Sequence, residues 1–256
     1  MQATSQITPA MNATAGAAPR TGSATAATTA PRRRRVIDAP TRMFHWLFAL
    51  SFLGAYVTAD GEHWRLVHVT LGYTMAGLLV ARLLYGLFGP RQAGLGMLWH
   101  KITAGGAWLR SLTRVKSLAA TQWRQGQNLL MALAIVALLA MVVPLTLSGY
   151  ASYNDWGGSL GGEWLEELHE FFGEAFLFVV LAHLALIAGV SLLRRKNQAQ
   201  PMLTGHVDGP GPNLVQNNRS WLAALLLIAV LAFWVWEWQQ TPGAPAWVKA
   251  LPALMA

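Results

Sequence analysis

Seven histidines and no cysteine leave imidazole as the main side chain here that could hold a metal or relay a proton. The lack of thiols excludes disulfide frameworks, thiolate zinc sites, iron-sulfur clusters, covalent c-type haem attachment and cysteine nucleophiles. Four histidines, His45, His68, His169 and His183, fall in or at the ends of long apolar stretches. Imidazole is costly inside a bilayer unless it faces a bundle interior, so these four are candidates for function. The plainer alternatives are hydrogen bonds between helices or a proton relay.

The elements that must position them are read from composition. Of the 256 residues, 54% are hydrophobic and 12% charged, too few charges for an ordinary soluble domain. Five stretches are long and apolar enough to cross a hydrocarbon core that takes about 20 helical residues. They run over about residues 40–60, 64–88, 129–149, 163–193 and 221–238. Basic residues gather on one side: Arg32 to Arg35 and Arg42, then Arg91, Lys101, Arg110, Arg114, Lys116 and Arg124, then Arg194, Arg195, Lys196 and Arg219. The other side carries Asp60, Glu62, Asp155, Glu163, Glu166, Glu167 and Glu170, with Arg65 and Lys249 its only basic residues. The positive-inside rule puts the N-terminus in the cytoplasm and the C-terminus outside. The net charge of +8 therefore encodes topology, which argues against nucleic acid as a partner and for membrane lipid.

Residues 1–35, rich in Ala, Thr, Ser and Gly before the arginine run, read as a disordered cytoplasmic tail. Asp38 and Pro40 interrupt the passage from the arginines to the first apolar stretch, unlike a signal peptide. Residues 36–200 form the main transmembrane domain, 201–219 a cytoplasmic loop and 220–256 a fifth transmembrane helix with an external tail. The stretch from Arg91 to Arg124 reads as a basic loop with interfacial tryptophans.

His169 and His183 are 14 residues apart, about 40° short of four helical turns and roughly 21 Å along the axis, so both project from one face. Alternating helix direction then places His183 at the cytoplasmic level with His45, and His169 at the external level with His68. Each pair can offer two imidazoles from opposing helices to one metal inside a bundle. Zinc or copper ordinarily takes three or four protein ligands, whereas two opposed imidazoles suit haem iron. Arg82 follows His68 by 14 residues and so shares its face at the inner level. Arg82 and Arg42 are candidates to meet an anionic group there, or to snorkel to lipid headgroups. His63 points away from His68, and His100 and His206 read as solvated loop residues.

The segments PTRMFHW (40–46), WRLVHVTLGYTMAGLLVARLLYGLFGPR (64–91) and EELHEFFGEAFLFVVLAHL (166–184) resemble the bacterial cytochrome b561 and nickel-hydrogenase cytochrome b family, over about residues 36–205. The resemblance implies an all-α, integral membrane four-helix bundle binding two b-type haems, here followed by the fifth helix. It places the iron ligands on His45, His68, His169 and His183; a haem propionate is then the candidate anion for Arg42 and Arg82, which position alone marks as cofactor-binding candidates. The implied function is electron transfer between a quinone pool and a partner such as a hydrogenase, dehydrogenase or cytochrome c, in a bacterial inner membrane. The acidic stretch from Ser152 to Glu170, with Trp156 and Trp164, is the expected external docking face. Alternatives are a free-standing superoxide:quinone oxidoreductase, a haem-free anchor and a cation or proton transporter. Transporters usually show broken helices and acids at mid-membrane, whereas here Glu174 and Pro144 stand alone in those roles. Two departures from the family are the fifth helix and His206, in PMLTGH, where related sequences often carry a basic residue.

Overall fold

Asp38 starts the first helix by accepting a hydrogen bond from the Thr41 backbone N–H on its Oδ1 at 3.2 Å, and Pro40 follows in the first turn. A carboxylate satisfies a free N–H of the opening turn, and proline lacks an N–H where none is needed. Asp38 is buried, and its other oxygen accepts from the Tyr85 hydroxyl, tying the start of this helix to the end of the next.

The computed structural model describes residues 33–91, 94–113, 122–158 and 162–240. The expected N-terminal tail up to residue 32 and the expected external tail after residue 240 lie outside these residues. The described chain is almost entirely helical: α1 (Ala39–Val57), α2 (Arg65–Phe88), α3 (Leu95–Leu112), α4 (Trp123–Tyr153), α5 (Glu163–Arg194), the short α6 (Gln200–Thr204) and α7 (Ser220–Gln240). A 3-10 turn over Glu62–Trp64 leads into α2. Two three-residue strands, β1 (Arg33–Arg35) and β2 (His206–Asp208), pair antiparallel with Arg34 opposite Val207.

Among the described residues four helices are long and apolar enough to cross a membrane: Glu62–Phe88, which takes in the 3-10 turn and α2, together with α4, α5 and α7. The first of the five expected spans is not among them, because α1 has 19 residues and spends two on Arg42 and His45. It nevertheless packs against α2 and α7, while α4 packs against α5, α3 and α2. The core lies midway along the bundle, where Phe52, Met75, Leu79, Val142, Leu145 and Phe176 cluster. Outward-facing residues such as Leu84, Leu87, Phe88, Phe178, Leu181, Leu225 and Ile228 are exposed in the isolated chain. Apolar surface on this scale marks a lipid-facing protein.

Two segments read as loops carry structure. The basic stretch after α2 contains α3, whose Leu98, Ile102 and Gly105 recur at helical spacing and are less exposed than their neighbours. Its Trp108 lies over Gly126 of α4, where a β-carbon would come within 2.5 Å of the indole. The stretch from Gln200 to Asn218 contains α6 and β2, fixed from the N-terminal side: Val36 and Ile37 donate to the Gly205 carbonyl at 2.9 and 3.2 Å. Arg33 pairs with Asp208 at 3.3 Å, an exposed contact of small energetic weight.

At the lipid-facing edge, α7 is tied to α2 by Trp234, whose indole Nε1 donates to Thr74 Oγ1 at 2.8 Å. Thr74 is buried and donates in turn to the Thr70 carbonyl at 2.7 Å. Trp234→Phe removes the donor and keeps most of the ring. A loss of about 1 kcal/mol is expected in reversible unfolding in detergent, typical of a hydrogen bond between membrane helices.

Candidate functional site

The four histidines sort by level. At the end of the bundle near the α1–α2 connection, His68 of α2 and His169 of α5 face each other, with ring centroids 5.9 Å apart and planes at 86°. Each ring is held by a helix backbone. His68 Nδ1 lies 2.8 Å from the Ala55 carbonyl oxygen of α1, and His169 Nδ1 lies 2.9 Å from the Leu145 carbonyl oxygen of α4. A carbonyl only accepts, so both Nδ1 atoms carry the proton and both Nε2 atoms keep a free lone pair. Ser148 Oγ lies 3.5 Å from the same His169 nitrogen.

The local sequence permits these contacts for two reasons. Ala55 stands in the last turn of α1, where carbonyls lack the usual partner four residues on, and its oxygen also receives the Thr58 backbone N–H at 3.3 Å and hydroxyl at 3.2 Å. On α4 the imidazole of His169 lies against Gly149, where a β-carbon would be 2.7 Å from Cε1 and 2.9 Å from Nδ1. Glycine is what lets the ring reach the backbone.

Toward the other end, His45 of α1 and His183 of α5 are both half-buried. His183 Nδ1 is buried without a hydrogen-bond partner. His45 stacks edge-on against Trp46, 5.5 Å between centroids.

Arg42 Nη1 donates to the Leu203 carbonyl at 3.2 Å, while its Nε is buried without a partner. Arg82 lines a cavity of about 330 Å³ with Asp38, Thr41, Lys101, Ile135 and Val215, and its Nη1 is likewise buried without a partner. Both guanidinium groups therefore retain a donor without a hydrogen-bond partner at the end of the bundle where α1 starts and α2 finishes. His63 and His100 are exposed, and His206 stands in β2 with its Nδ1 2.9 Å from the Thr204 carbonyl oxygen.

Sequence reasoning singled out the four rings and the two arginines. It did not anticipate Gly149 or Ser148, nor the carbonyls of Ala55 and Leu145. A backbone acceptor has no side-chain signature, and a glycine in a membrane helix serves packing as often as a site. Asp38 and Tyr85, which join the ends of α1 and α2, were also missed.

The donor set defines what could bind. Among the described residues no group of three or more His, Cys, Asp or Glu is placed to hold a metal ion. A pair of imidazoles on opposed helices fits a metal whose remaining ligands come from a cofactor. Two rings sharing one metal at about 2 Å per nitrogen stand some 6 Å apart, close to the separation of His68 and His169. Buried arginine nitrogens without partners fit acidic groups on the same cofactor.

No curated protein and no solved structure matches the chain. The family model described as prokaryotic cytochrome b561 matches residues 36–205, a stretch that contains all four histidines and both arginines. The chain belongs to the prokaryotic cytochrome b561 family, membrane proteins that transfer electrons on b-type haem.

Proposed function

We propose that the chain carries electrons between two b-type haems stacked along the membrane normal, one held by His68 and His169 and the other by His45 and His183. The observation that carries this reading is the pair of Nδ1 contacts to the Ala55 and Leu145 carbonyls, which leave two Nε2 lone pairs on opposed helices. Haem iron supplies the one-electron chemistry. The protein fixes the position of each imidazole, strengthens its basicity through the Nδ1–H bond, and excludes water. The unused nitrogens of Arg42 and Arg82 at the inner end support a role in neutralising haem propionates.

In this reading α1 crosses the membrane with α2, α4, α5 and α7, the N-terminus is cytoplasmic, and the membrane is a bacterial inner membrane. The electrons pass between a quinone pool and a partner protein on the external face, such as a hydrogenase, a dehydrogenase or a cytochrome c. The end bearing His68 and His169 carries Asp60, Glu62, Asp155, Glu163, Glu166, Glu167 and Glu170, with exposed Trp156 and Trp164. Such a surface steers a basic protein inward and repels an anion. That charge favours a protein partner over superoxide as the external reactant.

The direct test is a reduced-minus-oxidised visible spectrum of the detergent-purified chain with pyridine haemochrome quantitation, for which two b haems per chain are expected. His183→Ala should remove one haem and leave the other with its low-spin spectrum; retention of both would refute the pairing. Gly149→Val, which drives a side chain into the His169 ring, should convert or empty the His68/His169 site alone. Electron paramagnetic resonance reads this as loss of one of two low-spin signals, and two unaltered signals would show that the close approach at Gly149 does not matter.

A further inference from the structure

Three core residues stand in a fixed relation to the four histidines. Phe52 follows His45 by seven residues, Met75 follows His68 by seven, and Phe176 lies seven after His169 and seven before His183. Seven helical residues fall about 20° short of two turns and advance roughly 10.5 Å. Each of the three therefore projects from the face that carries its histidine, and Phe176 stands halfway between the two levels.

The fold brings these three together. Phe52 from α1, Met75 from α2 and Phe176 from α5 join Leu79, Val142 and Leu145 in the single central cluster. Phe176 is 1% exposed, Met75 2% and Val142 0%, so the layer is closed from the outside. The rings of Phe52 and Phe176 lie 4.6 Å apart between centroids, and Phe48 lies 6.2 Å from Phe176.

Resting on the two-haem reading above, we propose that this layer is a septum between the two haem sites, with Phe176 at its centre, and that its packed atoms are the path by which the electron crosses. One electron leaves one level and arrives at the other, with no bond made or broken and no proton moved. The protein then controls the transfer through what fills the gap. An apolar void here forfeits its contacts and stays dry. Emptying the layer removes matter from the path without bringing charge or water to either iron, so the rate changes while the equilibrium potentials hold.

The test uses the full chain loaded with haem, comparing wild type, Phe176→Ala and Phe176→Leu. Haem per chain, the two low-spin resonance signals, the two midpoint potentials and the rate of electron exchange between the levels after photoreduction are measured. Phe176→Ala is expected to keep both haems, both signals and both potentials and to exchange electrons more slowly. Phe176→Leu, which keeps apolar filling at the same place, should recover most of the wild-type rate. An unchanged rate in Phe176→Ala at full haem content overturns the proposal, as does a slowing that shifted potentials account for. Should Phe176→Ala lose haem, Phe52→Ala and Met75→Ala take its place, and the same slowing at fixed potentials is required of them. Fewer than two haems in the wild-type chain overturns the two-haem reading itself, whatever the variants do.

Discussion

A neutral imidazole inside a bilayer has one N–H that must find an acceptor and one lone pair left over. This constraint organises the end of the bundle that carries His68 and His169. Where water is excluded each unpaired polar group is costly, so the acceptor has to come from the protein. Helix carbonyls are the nearest supply, but most already accept a helical bond. The chain finds them at Ala55, in the final turn of α1, and at Leu145, whose oxygen is reached because Gly149 has no side chain. The tautomer, the ring orientation and the packing of α2 on α1 and of α5 on α4 are thereby one arrangement.

That arrangement limits what the neighbouring elements can do. Since His68 and His169 are each bound to a helix other than their own, the four helices cannot slide independently without breaking a hydrogen bond in hydrocarbon. The adjoining central cluster locks the same four helices, and Leu145 belongs to both, its carbonyl facing His169 and its side chain in the cluster. The opposite end is held by different means: Asp38 joins the start of α1 to Tyr85 near the end of α2, and the Gly205 carbonyl receives two N–H groups from the chain before α1. Backbone pairing in a region rich in arginine is joined there by apolar packing of α3 on α4, with buried Leu129 against Gly105 and Trp108 over Gly126.

Much of this was legible in the sequence because a membrane helix announces itself by length and apolarity, and a histidine within one is rare enough to notice. The helices over 163–194 and 220–240 follow their apolar runs almost residue for residue. The same logic fails for α1, whose Arg42 and His45 dilute its hydropathy, although it packs in the bundle beside α2 and α7. It fails also for α3, where lysine, arginine and histidine mask an apolar stripe of Leu98, Ile102 and Gly105. For the site, the ligand-type side chains were visible and their acceptors were not. A carbonyl is present at every residue, and only the fold decides which one an imidazole can reach. The heptad relation of Phe52, Met75 and Phe176 to the histidines was present in the numbering throughout. It gains physical meaning only once the three residues are found in one layer.

The two ends of the bundle differ in charge as well as in construction, and the difference bears on direction. At the basic end Arg42 and Arg82 each keep a buried nitrogen with nothing to bind, so that end is prepared for an acidic group coming from within the bundle. At the acidic end the carboxylates lie on exposed positions of α5 and the adjoining turns, with Trp156 and Trp164 exposed beside them. Exposed charges of one sign act mainly on the rate of encounter, and their reach falls with salt over about 10 Å at 0.1 M ionic strength. Buried unpaired donors act on the affinity for what lies against them. On the two-haem reading proposed above both ends hold a cofactor, the basic end adds buried donors for its acidic groups, and the acidic end adds exposed charge that acts on encounter from solution.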